Sequence, residues 1–191
     1  MGKRRHRIKA DPSKLACPGG YRQPDYYRDK QQNCIDCGVK FVFTAEEQQV
    51  WYEKYGIPHY ALKCRCGECR ERHKTRQEMK TAYDNAVQTA KTHSEDALAN
   101  FELGKSTFLQ IEAGHGGHLE SAIGALKRAL ELNPRMAECH YWLGRCYERL
   151  RNGQKARHSF TEFIQKAEDR KKSVSKTLVK DAQSRMQQLC D

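Results

Sequence analysis

Two Cys-x-x-Cys pairs constrain the fold of this chain more than any other feature. Cys34 and Cys37 form the first pair and Cys66 and Cys69 the second, with 28 residues between Cys37 and Cys66. Four thiolates complete a tetrahedral shell around one ion, and Zn²⁺ is the ion best suited to such a soft sulfur shell. Since a closed shell leaves no position for water, we expect one structural zinc ion and no zinc-based catalysis.

The neighbouring Cys64 leaves the identity of one zinc ligand undecided. A Cys64–Cys69 pair is an alternative to the Cys66–Cys69 pair, which we prefer because its spacing matches that of the first pair. Redox-active pairs are a second alternative, but thioredoxin-like pairs sit in a βαβ context that the flanking sequence lacks. The remaining cysteines are predicted to be unpaired thiols: Cys17, Cys139, Cys146 and Cys190.

The residues between the two pairs predict a strand followed by a helix. Gly38 supplies the positive φ that a turn after the first pair often needs, and the strand-like segment KFVF follows. Thr44 and Glu47 form a capping box for the next helix, which Gly56 ends. The predicted buried stripe of this helix is Val50, Trp51 and Tyr55, with Tyr52 as a further candidate. The cations predicted to balance the zinc–thiolate charge are Lys40, Lys63, Arg65 and Arg70.

These motifs together resemble the zinc-ribbon domain of a family of bacterial proteins. The resemblance covers about residues 25–73 and rests on the knuckle at 34–38, the FVFT segment at 41–44, Glu47-Gln48 and the motif at 66–70. It implies zinc binding and no established activity. Cys64 departs from the family's pattern.

Charge separates an N-terminal segment from the rest of the chain. The formal net charge is +11, and residues 1–33 hold nine Lys or Arg against three Asp. We divide the chain into a basic extended arm (1–30), the zinc-ribbon domain (31–73), a connecting helix (74–93) and a repeat domain (94–191). The arm is either a solubilising tail or a binding arm whose tyrosines stack on a partner.

A 34-residue period marks the C-terminal half of the chain. Ala122 and Leu126 recur as Ala156 and Phe160, which is the spacing of tetratricopeptide repeats. The second repeat also contains the other expected positions, Leu143, Gly144 and Tyr147. We therefore predict two helical hairpins in which small residues let the paired helices approach closely.

Three further features complete the repeat prediction. Gly104 precedes Ala122 by six residues more than Gly144 precedes Ala156, which predicts a lengthened first hairpin with its loop at 113–118. His115 and His118 in that loop are more typical of a flexible tip than of a second metal site. A final helix that caps the array is predicted from the apolar stripe Val174, Leu178, Ala182, Met186 and Leu189.

The expected fold is mostly α-helical. A small zinc-ribbon module with four cysteine ligands is followed by a short tetratricopeptide-like array with a C-terminal capping helix. Nine cysteines, and no apolar stretch of signal or membrane length, favour the cytoplasm without membrane association.

The expected function is that of a non-catalytic, zinc-binding adaptor. The repeat surface would hold a protein or peptide partner. Candidate residues for that surface are Tyr141, Arg145, Arg149 and Arg157. The alternative is an RNA- or ribosome-binding protein that uses the basic arm and the zinc ribbon. An enzyme is not expected, because no nucleophile–base arrangement or phosphate-binding loop is recognisable.

Overall fold

A computed structural model describes residues 6–16, 22–169 and 175–189. The chain divides into two compact units, Met1–His73 and Lys74–Asp191, which we call the N-terminal unit and the C-terminal unit. Cys17, Val174 and Cys190, which the sequence analysis singled out, lie outside the described residues. Most of the described residues are helical, and the strands lie in the N-terminal unit, as the sequence predicts.

Two antiparallel strand pairs form the N-terminal unit. Strand β1 (Arg7–Lys9) pairs with β2 (Tyr26–Arg28), and β3 (Lys30–Asn33) pairs with β4 (Lys40–Phe43). Where an extended arm was expected, β1 and β2 are thus paired, and the Tyr27 side chain is 1% exposed. The register explains this burial, because alternate residues of a strand face opposite sides. Ile8 and Tyr27 are cross-strand partners on the inner side.

A short helix follows β4. Helix α1 (Ala45–Gln49) starts with the predicted capping box, in which Thr44 and Glu47 each bond the other's backbone N–H. The chain continues as a π-helical turn, Val50–Lys54, and the amide of Tyr55 donates to the carbonyl of Val50, five residues earlier.

This wider turn changes which side chains are buried. The sequence prediction assumed 3.6 residues per turn, and it was wrong for Val50 and Tyr55, which are 41% and 63% exposed. Tyr52, the further candidate, is buried at 1% exposure, and its hydroxyl donates to the carbonyl of Ala61. Trp51 is half-buried against the same cluster, as predicted. In a π turn the backbone hydrogen bond joins residues five apart rather than four. The residues that face the core therefore differ from those that a regular α-helix would bury.

Helix α2 (Gly67–Thr92) is longer than the predicted connecting helix. Helix α2 begins between Cys66 and Cys69. The second cysteine pair therefore lies at the start of this helix and does not form a separate knuckle. The boundary between the two units falls within this helix.

Two helical hairpins form the centre of the C-terminal unit. Helix α3 (Ala97–Glu112) packs on α4 (Leu119–Leu132), and α5 (Ala137–Arg149) packs on α6 (Gly153–Asp169). One glycine permits each close approach: a Cβ at Gly104 would lie 2.6 Å from Leu126 Cγ, and one at Gly144 would lie 2.6 Å from the Phe160 ring. The residues of the 34-residue period therefore occupy matching positions in the two hairpins.

The first hairpin is longer, as the sequence predicts. Helix α3 has 16 residues against 13 in α5, and the loop after it has six residues, 113–118, against three, 150–152, after α5. The extra length is therefore shared between the helix and its loop.

Helix α7 (Lys176–Gln188) packs against the second hairpin. Ala182 is fully buried there, and Leu178, Met186 and Leu189 border the same apolar cluster as Phe160 and Phe163. The hydroxyl of Tyr141 donates to Asp181 at 2.6 Å, which adds a polar contact between α5 and α7. The apolar stripe predicted for a capping helix thus has a hydrophobic partner surface.

Among the described residues, no helix is both long enough and apolar enough to cross a bilayer.

Candidate metal centre

The first cysteine pair lies on a tight turn between β3 and β4. The amide of Gly38 donates to the carbonyl of Cys34 at 2.8 Å, and the amide of Cys34 donates to the carbonyl of Val39 at 2.9 Å. Gly38 has φ of +72°, a conformation that glycine adopts without the steric cost other residues meet. This turn aims Cys34 and Cys37 at the start of α2, where Cys66 and Cys69 lie.

The four predicted ligands come together. The sulfur atoms of Cys34, Cys37, Cys66 and Cys69 all lie within 4.8 Å of one another, and those of Cys37 and Cys66 are 3.8 Å apart. Four sulfurs each about 2.3 Å from one tetrahedral zinc ion lie about 3.8 Å from one another. The arrangement therefore fits one zinc ion held by four thiolates, with no place for a fifth ligand.

The pKa values of two of the four thiols are shifted in opposite directions. Backbone N–H groups, that of Cys66 foremost, lower the pKa of Cys34 to about 6. Burial and the neighbouring thiols raise the pKa of Cys69 to about 12. Four thiolates this close together repel one another, and bound Zn²⁺ would offset that repulsion because it deprotonates coordinating thiols outright.

Cys64 is placed apart from this cluster. Its side chain is exposed and its sulfur lies 3.3 Å from the carbonyl oxygen of Leu62. Its backbone carbonyl accepts a hydrogen bond from the amide of Ile35 at 3.0 Å, which joins the loop before α2 to the first knuckle. The geometry thus favours Cys66 over Cys64 as the ligand and gives Cys64 a backbone role.

The predicted cations surround the cluster but pair mainly with carboxylates. Lys63 is 3% exposed, bonds Glu47, and lies 5.8 Å and 5.7 Å from the ring centroids of Phe41 and Phe43. Arg70 also approaches Glu47, at 3.9 Å. Because Glu47 belongs to the capping box of α1, these contacts tie the metal-binding loop to that helix.

Sequence reasoning missed the cation that reaches a sulfur atom. Arg72 Nη2 lies 3.7 Å from the sulfur of Cys69, three residues earlier on the same helix. Spacing of three residues along a helix is the signal that could have identified it. On the other side of the site, Asp36 accepts from Arg65 at 2.8 Å and lies 3.0 Å from His73 Nε2, so one carboxylate joins the knuckle to α2.

Residues 28–78 match the family model described as a probable treble clef domain. The geometry agrees, since a knuckle supplies two ligands and the N-terminus of a helix supplies the other two. A treble clef zinc-binding domain is present. The expected zinc ribbon is corrected accordingly, because the second cysteine pair opens α2 rather than forming a second knuckle. No curated protein matches the chain.

Other histidines form no comparable site. His115 Nε2 lies 2.9 Å from the carbonyl oxygen of Arg76, and among the described residues neither His115 nor His118 belongs to a cluster of three or more metal-ligating side chains. His6, Asp29 and Glu46 do converge, but all three are exposed. Asp29 already accepts a hydrogen bond from the first amide of α1, at Ala45, so helix capping accounts for its position.

Proposed function

We propose that the protein is a non-catalytic adaptor in which the C-terminal unit binds a protein partner. One observation carries this proposal: helices α3, α5 and α7 together border a groove of about 220 Å³. The groove is lined by Phe108, Glu112, Arg145, Glu148, Arg149, Arg151 and Arg185, and we call it the arginine groove. In arrays of helical hairpins, the surface made by successive first helices is the usual place for an extended ligand.

Of the four residues that the sequence suggested for the binding surface, some lie at the arginine groove and one lies on helix α6. Arg145 and Arg149 line the arginine groove, and Tyr141 lies behind it, 3% exposed. Arg157 is on α6 and bonds the carbonyl of Leu189, away from the groove. The proposal therefore rests on two of the four residues named from the sequence.

The treble clef domain offers a separate contact surface. Ile35 and Val39 on the zinc-binding turn are 64% and 58% exposed, and zinc holds this turn in a fixed shape. A rigid turn that presents apolar side chains loses little conformational freedom when it binds. We assign it the second contact of the adaptor and place the protein in the cytoplasm on the strength of its reduced cysteines.

Crosslinking of the full-length chain in cell lysate tests the adaptor proposal. A photo-crosslinking residue at Glu112, in the groove, should capture protein, whereas one at Gly124, on the exposed face of α4, should not. Equal capture at both positions, or capture of RNA alone, would contradict the proposal.

RNA binding is the second candidate, because the outer face of the β1–β2 pair is basic. Arg7 and Arg28 are exposed cross-strand partners, and Lys9 is opposite the exposed Tyr26. Like charges directly opposite each other destabilise a strand pair. Arg7 also lies 4.5 Å from the centroid of the Tyr26 ring, so cations and a stacking surface occupy one face.

Point variants test this candidate better than truncation, because removing residues 1–30 would also remove the buried Tyr27. If RNA binds, the double variant Arg7→Gln/Arg28→Gln should weaken binding and reduce the slope of log affinity against log salt by up to roughly 0.7 for each lost contact. Lys127→Gln/Arg128→Gln on α4 removes the same charge as a control. An equal effect of both pairs would mean that only net charge matters.

A further inference from the structure

Four arginines and two glutamates line the arginine groove, so its lining carries a net charge of +2. The carboxylates do not satisfy these arginines equally. Arg185 donates to Asp181 at 2.7 Å and to Glu148 at 2.9 Å, which are close charge-assisted hydrogen bonds. Arg185 is thus a structural residue that joins α7 to α5.

Arg145 lacks such partners. Its side chain is only 20% exposed, yet its contacts are long: 3.4 Å to the Tyr141 hydroxyl, 3.6 Å to Glu148 and 3.9 Å to Glu112. The guanidinium carbon lies 5.1 Å from the centroid of the Phe108 ring, which also lines the groove. A largely buried guanidinium has five N–H donors, so Arg145 retains capacity for a closer anion.

Two further arginines stand at the rim. Arg149 is 63% exposed and donates to Glu112 at 3.0 Å. Arg151 is exposed and forms no ion pair with any residue in the parts of the chain that the structure describes. Its positive charge is therefore free to meet a ligand.

The backbone at Arg151 strengthens this interpretation. Arg151 has φ of +56°, and the amide of Asn152 donates to the carbonyl of Tyr147, as in the glycine-type end of a helix. Glycine is the residue that adopts this conformation at least cost, and other side chains are strained there. An arginine at a position that favours glycine is unfavourable for the stability of the fold. This cost is consistent with a binding role for the Arg151 side chain.

We propose that the arginine groove binds an acidic segment of a partner protein, with one carboxylate on Arg145 and others at Arg149 and Arg151. This inference rests on the adaptor function proposed above and specifies the chemistry of its ligand. The groove volume of about 220 Å³ is below the ~300–1,000 Å³ of pockets for drug-sized ligands, so it suits individual side chains of a segment.

The two glutamates reduce the net charge of the lining to +2 and so weaken its preference for more highly charged groups over carboxylates. Glu112 and Glu148 would repel a phosphate dianion or a nucleic-acid backbone more strongly than a single carboxylate. A glutamate-rich segment can place single charges at Arg145 and Arg151, which lack a close carboxylate, and at the exposed Arg149, which is paired only with Glu112.

Fluorescence anisotropy of full-length protein with labelled peptides tests the proposal. The probe is a peptide of six glutamates flanked by Gly-Ser, compared with its glutamine counterpart and with one that carries two phosphoserines. We expect salt-sensitive binding of the glutamate peptide and at least tenfold weaker binding of the glutamine peptide, since a charge-assisted hydrogen bond contributes about that factor.

Arg151→Gly separates binding from folding. This variant relieves the strained backbone, so it should be no less stable than the wild type while binding the glutamate peptide about tenfold more weakly. Arg145→Gln should weaken binding at least as much. Arg128→Gln on α4, where Arg128 pairs with Glu95 and Glu131, is the matched control and should bind normally.

Unchanged affinity in both Arg151→Gly and Arg145→Gln would overturn the proposal, as would tighter binding of the phosphoserine peptide or of a single-stranded RNA oligomer. The crosslinking experiment distinguishes failure of the acidic-ligand proposal from failure of the adaptor proposal. Capture of protein at Glu112 without binding of the glutamate peptide removes the acidic ligand and leaves the adaptor function, whereas failure of both removes both.

Discussion

In the N-terminal unit, the apolar cluster outside the cysteines consists of Ala10, Tyr27, Phe43, Ala45 and Tyr52, two of which are alanines. The C-terminal unit has two buried clusters that run from Phe101 to Ala182 and join every helix from α3 to α7. A small apolar core rarely stabilises a fold without a metal or disulfides. The comparison predicts that the N-terminal unit depends on its metal for folding, whereas the C-terminal unit is stabilised by hydrophobic packing.

Removal of zinc should produce the largest effect, and it tests directly whether the two units differ in their dependence on metal. Structural zinc contributes about 10–16 kcal/mol to folding in small zinc-binding peptides. Chelation or Cys66→Ser should therefore unfold the N-terminal unit, while circular dichroism retains most of the helical signal from residues 97–188. Metal analysis should give one zinc per wild-type chain.

Cys64→Ser is the control for that experiment and should keep its zinc, since Cys64 lies outside the cluster. A metal-free protein with a folded N-terminal unit would contradict metal dependence. Loss of all helicity on chelation would show instead that the two units fold together.

A smaller effect is expected from Gly144→Ala in the C-terminal unit. The new Cβ would lie 2.6 Å from the Phe160 ring, and overpacking of this kind typically costs about 1–3 kcal/mol. The urea midpoint should fall while zinc content stays unchanged. Gly124→Ala, with open space around its Cβ, should instead stabilise α4 by about 0.5–1 kcal/mol. Similar midpoints for the two variants would mean that the hairpins are not closely packed.

Lys63→Ala should have a moderate effect on the N-terminal unit alone. The substitution removes a buried side chain whose ammonium bonds Glu47 and lies near the rings of Phe41 and Phe43, so zinc should be lost to a chelator several-fold faster. Lys63→Met keeps the stem and should lie between wild type and Lys63→Ala. Lys40→Ala, an exposed site on β4, is the control, and equal release from all three variants would refute the role of Lys63.

Thiol labelling should distinguish the units without disturbing them. Burial raises the pKa of Cys139 and of Cys146 to about 12, so both are neutral at pH 8 and sheltered from reagents. Among the seven cysteines in the described ranges, mass spectrometry should find Cys64 alkylated first, the four zinc ligands only after chelation, and Cys139 and Cys146 only after the C-terminal unit unfolds. Early labelling of Cys146 would show that this unit opens more readily than its packing implies.

Local patterns were sufficient to predict much of this fold. The capping box at Thr44, the spacing of the four cysteines and the 34-residue period are each visible as residue types at fixed spacings, and each corresponds to an observed feature. The lengthened first hairpin followed from the same counting, because Gly104 and Gly144 occupy matching positions.

Features that depend on distant partners were not predictable in this way. Tyr27 is buried because its strand partner is Ile8, 19 positions earlier, and no short-range period indicates that pairing. The π turn displaced the predicted buried stripe, since periodicity assumes a regular helix. The arginine groove combines α3, α5 and α7, so its residues could be suspected from the sequence but not assembled into one surface.

The π turn at Val50–Lys54 also limits how the length of the chain can vary. Each residue of a helix turns the chain by about 100°, so deleting one residue before Tyr52 would swing its ring out of the core. The hydroxyl would then lose the carbonyl of Ala61, which anchors the loop that leads to Cys66. Insertions and deletions should therefore be rare among relatives between Thr44 and Tyr52, and far more common around Gly116, where a side chain meets open space.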